Sequence, residues 1–323
     1  MKRLISLLLC AVMLFALCAC AAEEPVEEPE ETENVAEYTP VSYENHGKEI
    51  TVEAMPQKVV TAGPHCTEIF CALGLSDLVI GKCMDNHSLG ALEELSDDYY
   101  TIPELTVGYP TYDQLTESGC DFLLATDWIF GEELTIKSLE KAGITVYVMS
   151  DDSIGNMYSD IRTVAKIFGV SNVAEKLISA DAAAVSAVSD ALPEEPLRVL
   201  VLDSFLGSKL YVAGSYGYEN ELISCAGGVN VFADLEKKWD AVNVEDVIAA
   251  EPDFIIIHDY QGSSGEDKLN ALLENSELAQ LECVQNGRVL CISLENIFPG
   301  VRCASTVEAF AAAFYPEIFV KAE

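Results

Sequence analysis

Short apolar runs rich in β-branched residues recur along the chain, with amphipathic stretches between them. The first set is Val59-Val60-Thr61-Ala62, Leu78-Val79-Ile80-Gly81, Phe122-Leu123-Leu124-Ala125 and Thr145-Val146-Tyr147-Val148. Helically periodic segments such as residues 133–142 separate them, and this alternation predicts βαβ units in a parallel sheet. The pattern restarts after Pro196 with Leu197 to Leu202, Phe254 to Ile257 and Val289 to Ile292, so a second α/β lobe begins there. From Ser171 to Leu192, Val173, Leu177, Ala180, Ala184 and Val188 recur at three- and four-residue steps, with Pro193 as a stop. At ~1.5 Å per residue this helix would be about 33 Å long, enough to run the height of a lobe and restrain its neighbour.

The start of the chain follows another pattern. Lys2 and Arg3 precede an apolar run from Leu4 to Leu17, the n-region and h-region of an export signal. Leu17-Cys18-Ala19-Cys20 resembles the bacterial lipobox, which makes Cys20 the expected lipid anchor; a plain signal peptide or a signal anchor is the alternative. Acidic and proline-rich sequence follows, unable to bury enough apolar surface to fold. The expected organisation is therefore a signal peptide over 1–19, an acidic tether over 20–45, an α/β lobe over 46–170, a linking helix over 171–193 and a second α/β lobe over 194–323. The body of about 280 residues is long enough for two lobes with cores of their own.

Charge and cysteine usage narrow the class. A net charge of −36 argues against nucleic acid and anionic lipid as partners, since both require basic surface. Eight cysteines follow Cys20 without a CxxC pair. Their scatter opposes a zinc ribbon and reads as free thiols, with Cys71, Cys120, Cys283 and Cys291 among apolar neighbours.

The order of several short motifs carries a family resemblance. Pro56-Gln57-Lys58-Val59-Val60, Thr67-Glu68-Ile69 and Leu73-Gly74 open the first lobe; Leu210-Tyr211-Val212-Ala213-Gly214, Ala226-Gly227-Gly228-Val229-Asn230 and Glu251-Pro252-Asp253 follow in the second. Together they resemble the substrate-binding lipoproteins of ABC importers for iron complexes and cobalamin. The resemblance implies two Rossmann-like lobes joined by one long helix, with ligand held between them at the C-terminal ends of the strands. Open α/β sheets place crevices at such ends on physical grounds as well. It also implies no catalysis and no intrinsic cofactor, a transported iron chelate, haem or corrinoid, and a permease with its ATPase as partners. The chain would be held at the outer face of a bacterial cytoplasmic membrane.

Residues beyond strand ends are the candidate ligand contacts. His65 and His258 each follow or end an apolar run, as does His87, and neutral imidazoles there are potential metal or axial ligands. Trp128, Tyr216, Tyr218, Trp239 and Tyr260 would give flat walls with polar tips, suited to a bulky planar or chelated ligand. Arg302 is the one arginine whose motif resembles a cleft position, and so few arginines favour a ligand of low negative charge. Asp113 matches the family's acidic permease contact on the first lobe; Glu221 is the nearest substitute on the second, where the strict position falls near Ser224. The alternative reading is an exported metalloenzyme or redox protein using His and Cys ligands. His65-Cys66 lacks the orienting group and oxyanion site that a catalytic pair requires.

Overall fold

The computed structural model describes residues 38–215 and 217–320. It opens on a hairpin of β1 (Val41–Asn45) and β2 (Lys48–Val52), paired antiparallel from Val41↔Val52 to Asn45↔Lys48. This hairpin begins inside the range expected to be tether. Tyr43 packs on Tyr147 at 5.2 Å, and the Asn45 side chain bonds the backbone N–H and carbonyl of Val148, so the ribbon extends the first lobe.

The first lobe is a five-stranded parallel sheet in the order β5-β4-β3-β6-β7. Its strands are β3 (Val59–Ala62), β4 (Val79–Cys83), β5 (Glu104–Thr106), β6 (Phe122–Thr126) and β7 (Thr145–Met149). Strands β3 and β6 are buried along their whole length, which explains why they read as continuous apolar runs rather than alternations. The chain leaves β3 toward β4 on one side and returns through β6 and β7 on the other. The ends of β3 and β6 therefore flank a topological switch point, where crevices form.

The second lobe is a mixed sheet in the order β11-β9-β8-β12-β13, with β10 added beside β8. Its strands are β8 (Leu197–Leu206), β9 (Lys209–Ala213), β10 (Gly228–Asn230), β11 (Trp239–Asn243), β12 (Phe254–Asp259) and β13 (Val289–Ser293). Pairing is parallel from β8 through β12 to β13, whereas β9 turns back on β8 and β11 pairs antiparallel with β9. The antiparallel half departs from a fully Rossmann-like lobe.

The Ser171–Ser189 helix stands between the two sheets. Its buried residues are Ala174, Ile178 and Val188, while Val173 is exposed, so the buried stripe lies one position later than the periodicity suggested at its start. A single apolar core containing Phe70, Ile161, Ile178, Tyr218 and Phe310 runs from one lobe across this helix into the other. Separate cores line the outer faces of each sheet. Asp181 on the helix accepts from Tyr158 of the first lobe and from the Ala304 N–H of the second, adding a polar tie through the same helix.

A second fastening crosses directly between the lobes. Arg302 donates from Nε to Glu68 Oε2 at 2.8 Å and from Nη2 to Glu68 Oε1, and it also reaches the Gly90 carbonyl at 2.7 Å. Glu68 Oε1 accepts the Leu92 N–H at 2.9 Å, and Glu295 accepts the Leu89 N–H. Both members of the ion pair are buried.

Candidate ligand-binding site

A cavity of about 560 Å³ opens between the C-terminal ends of the two sheets. Residues just after β6 form one wall. Thr126 ends the strand, and a turn of 3-10 helix over Asp127–Ile129 carries Trp128 outward, about one third exposed. Trp128 meets His87 at 5.4 Å, Tyr109 at 5.8 Å and Phe298 at 5.8 Å, so four rings edge this side. His87 shares its Nδ1 with Asn86 Oδ1 at 2.8 Å, and burial lowers its pKa. At neutral pH it is an uncharged ring among aromatic ones.

The opposite wall is polar. His258, near the end of β12, lies between Glu219, whose Oε1 is 2.8 Å from Nε2, and Asp203, whose Oδ1 is 3.4 Å from Nδ1. Burial pulls this imidazole down, but the Glu219 and Asp203 carboxylates outweigh it and raise the pKa to about 9. His258 is thus an imidazolium donating from both nitrogens. Burial likewise pushes the Asp203 carboxyl up, and His258 more than offsets it, leaving that carboxyl below its ordinary value. Trp239 covers the pair edge-on at 5.4 Å from His258 and stacks on Tyr211; Tyr260 lies 3.5 Å from Asp203 through its hydroxyl.

Two bridges close the edges of the cleft. Lys238 of the second lobe donates to Asp151 and Asp152 of the first, and Gln261 donates to the Ser88 carbonyl at 3.3 Å. Glycine shapes the floor. Gly217, at φ 133, allows the chain to enter the Tyr218–Cys225 helix abruptly, which sets Tyr218 and Glu219 against the cavity.

The structure puts Trp128, Tyr218, Trp239, His258 and Tyr260 on the cavity lining; Tyr216 lies outside the described residues, as does Cys20. Two candidates require correction. His65 does not reach the cavity: Gly63, at φ 128, turns the chain from β3 into the Pro64–Ala72 helix, and the imidazole folds back over it beneath Phe298, 4.9 Å away. A Cβ on Gly63 would stand 2.6 Å from His65 Cε1, so the glycine makes room for that ring. Burial there, with a smaller contribution from His87, lowers the His65 pKa to about 3. Arg302 is also absent from the lining, since its guanidinium is spent on Glu68 and Gly90 at the lobe seam.

Other expectations have mixed outcomes. Asp113 is exposed in the first turn of the Tyr112–Ser118 helix, which Thr111 and Gln114 cap reciprocally. Glu221 is half-buried and accepts the Ile154 N–H across the lobes, so its carboxylate is not a free surface acid. All eight described cysteines are free, but Cys291 is exposed rather than buried. Burial raises the Cys66 pKa, keeping it a thiol beside His65. Among the described residues no three His, Cys, Asp or Glu side chains gather as a metal site.

Asp203, Tyr211, Glu219, Lys238, Tyr109 and Phe298 escaped the sequence reading. Only Asp203 had a usable signal, as the first acid after the run Val199 to Leu202. An acid in the first turn of a helix, such as Glu219, has a local explanation and draws no notice.

Comparison with known proteins agrees with this architecture. The model of the periplasmic binding protein family matches residues 59–293. An uncharacterized ABC transporter substrate-binding lipoprotein of Bacillus subtilis is 24% identical over 324 residues, covering 97% of this chain and 96% of its own. A cobalamin-binding protein of Halobacterium salinarum is 22% identical over 94% of this chain and 82% of the relative. A solved structure described as an ABC-type Fe3+-hydroxamate transport system from Saccharomonospora viridis superposes with a TM-score of 0.72 at 21% identity, covering 86% of this chain and 99% of that one. With the family match spanning most of both lobes and the helix between them, the chain belongs to the periplasmic binding protein family.

Proposed function

We propose that this chain is the lipid-anchored substrate-binding component of an ABC importer, which captures a ferric chelate, haem or corrinoid and presents it to a permease without transforming it. The cavity between the strand ends carries this reading: its size falls in the range of small-ligand sites, and aromatic rings wall it from both lobes. Relatives described as binding cobalamin and as belonging to Fe3+-hydroxamate transport support the ligand class. Trp128, Trp239, Tyr260 and His258 are the proposed contacts, with Tyr216 as the remaining candidate. Cys20 would carry the lipid at an extracytoplasmic membrane surface, and Asp113 would meet basic residues of the permease.

The continuous core, the Asp181 tie and the Glu68–Arg302 pair favour capture with little lobe closure. To test the reading, the purified full chain is incubated separately with ferric hydroxamate, ferric catecholate, haem and cobalamin, desalted, and scanned for a retained visible band. One retained complex is expected, weakened about 10-fold or more by Trp128→Ala, since burying a large apolar side chain is worth roughly 1.5–3 kcal/mol. No retained band in any tube would overturn the proposed function.

A further inference from the structure

The charges around the cavity are unequal. Asp127, Asp151, Asp203 and Glu219 line it against Lys238 and His258, and none of the described lining residues is an arginine. Lys238 is already engaged by Asp151 and Asp152, and His258 by Asp203 and Glu219. Among the described lining residues no cation is left over to receive an anionic ligand.

The polar wall also holds an acceptor in search of a donor. Glu219 is only 8% exposed, and while its Oε1 binds His258, its Oε2 makes no hydrogen bond among the described residues. Across the cavity, buried Thr126 also leaves its Oγ1 without a partner among the described residues. A buried acceptor without a donor is unfavourable by roughly 1–3 kcal/mol, more for a charged group, and a ligand N–H would relieve that penalty. A propionate or catecholate oxygen at the same place would meet another carboxylate.

We infer that the cavity selects a metal complex that presents N–H donors, as primary amides or as an ammonium group, and that carries no net negative charge. This deepens the capture reading above and rests on it. Glu219 Oε2 accepts from the ligand nitrogen, Thr126 supplies a second polar contact, and the aromatic wall covers the apolar face of the complex. The chain's net charge of −36 draws in a cationic member of this class and repels a polyanionic ligand.

The test uses the purified full chain and tryptophan fluorescence, since Trp128 and Trp239 both line the cavity. Five probes are titrated: a ferric trihydroxamate with a pendant ammonium, the same complex acetylated at that nitrogen, cyanocobalamin, a ferric tricatecholate and haem. Binding of the ammonium complex or of cyanocobalamin is expected, with haem and the tricatecholate at least about 100-fold weaker. If ammonium is the donor, acetylation weakens binding about 10-fold or more; if amides are, cyanocobalamin is the tightest probe. Glu219→Gln should lower affinity for the preferred probe by about 10- to 100-fold, the range for losing a hydrogen bond to a charged group. Should that variant fail to fold, Thr126→Val keeps the shape and should lower affinity about 3- to 10-fold. Preference for haem or the tricatecholate would overturn the inference and leave the capture reading standing, as would unchanged affinity in folded variants. Binding of none of the five would overturn both.

Discussion

His65 and His258 occupy similar places in the two lobes, each near the C-terminal end of a strand with neighbours on both sides, yet they differ in charge and in surroundings. His65 packs beneath Phe298 with its Nε2 3.4 Å from Cys66 Sγ, and its pKa is lowered to about 3. His258 is equally buried, but two carboxylates face its ring and raise its pKa to about 9. Burial alone pulls both imidazoles down; only a partner of opposite charge reverses the direction. Position at a strand end is therefore a poor guide to role. One histidine belongs to the seam that joins the lobes, the other to the polar wall of the cavity.

The strongest way to break this division is to attack the seam. Arg302→Leu leaves Glu68, fully buried in the first lobe, without its counter-charge, and removing one partner of a buried ion pair typically destabilises by about 3–5 kcal/mol. A large fall in the urea midpoint is expected, with part of it recovered when Glu68→Gln is added to Arg302→Leu. A loss below about 1 kcal/mol would mean that the seam is solvated and that Arg302 is available to the cleft after all.

The two histidines should also pull the pH dependence of stability in opposite directions. His258 has a folded pKa raised above its unfolded value of about 6.5, so its contribution is complete below pH 6.5 and lost as pH rises through about 9. At about 1.4 kcal/mol per pKa unit the loss is on the order of 3 kcal/mol. His65 is depressed instead; its neutral form is favoured in the fold, and stability is lost as pH falls from about 6.5 toward 3. Urea midpoints across pH 5–10 should show the alkaline slope in the parent chain and a shallower one in His258→Gln. Equal slopes in the two proteins would show that the Asp203–His258–Glu219 arrangement is not charged as described.

Why sequence separated these roles so poorly follows from what each signal measures. The buried strands β3, β6, β8 and β12 were legible because burial on both faces demands unbroken apolar runs, and the linking helix because its stripe repeats with the helical period. Strand ends located the cavity for the same reason. Which side chain turns into it depends on the few backbone angles after the strand, and Gly63 and Gly217 show how a single residue sets that direction. Long-range partners were illegible too: Arg302 meets Glu68 from 234 positions away, and Glu219 meets His258 from 39. The β1–β2 hairpin was missed because its strands alternate with charged positions and follow an acidic stretch, so composition outweighed periodicity.

The smallest expected effect sharpens the contrast most. His65 is buried and neutral, its Nδ1 has no hydrogen-bond partner among the described residues, and its ring packs over Gly63 against Cys66 and Phe298. Leucine at this place removes an unpartnered polar atom and keeps most of the apolar volume, and the partner it leaves behind, the Cys66 thiol, bonds only weakly, so the replacement is nearly neutral. His65→Leu should therefore change stability by less than about 1 kcal/mol and abolish the acid-side slope between pH 6.5 and 3 that the depressed pKa produces. Ligand affinity should stay within about 2-fold of the parent, because this ring is buried and is not among the residues that line the cavity. A retained complex that vanished in His65→Leu while the protein stayed folded would place the imidazole in contact with ligand, and would require the packing around this buried ring to open on binding. Unchanged affinity, measured beside a loss in Glu219→Gln, would assign the two lobes' strand ends to different work: the first lobe's corner to holding the lobes together, the second lobe's to recognising what lies between them.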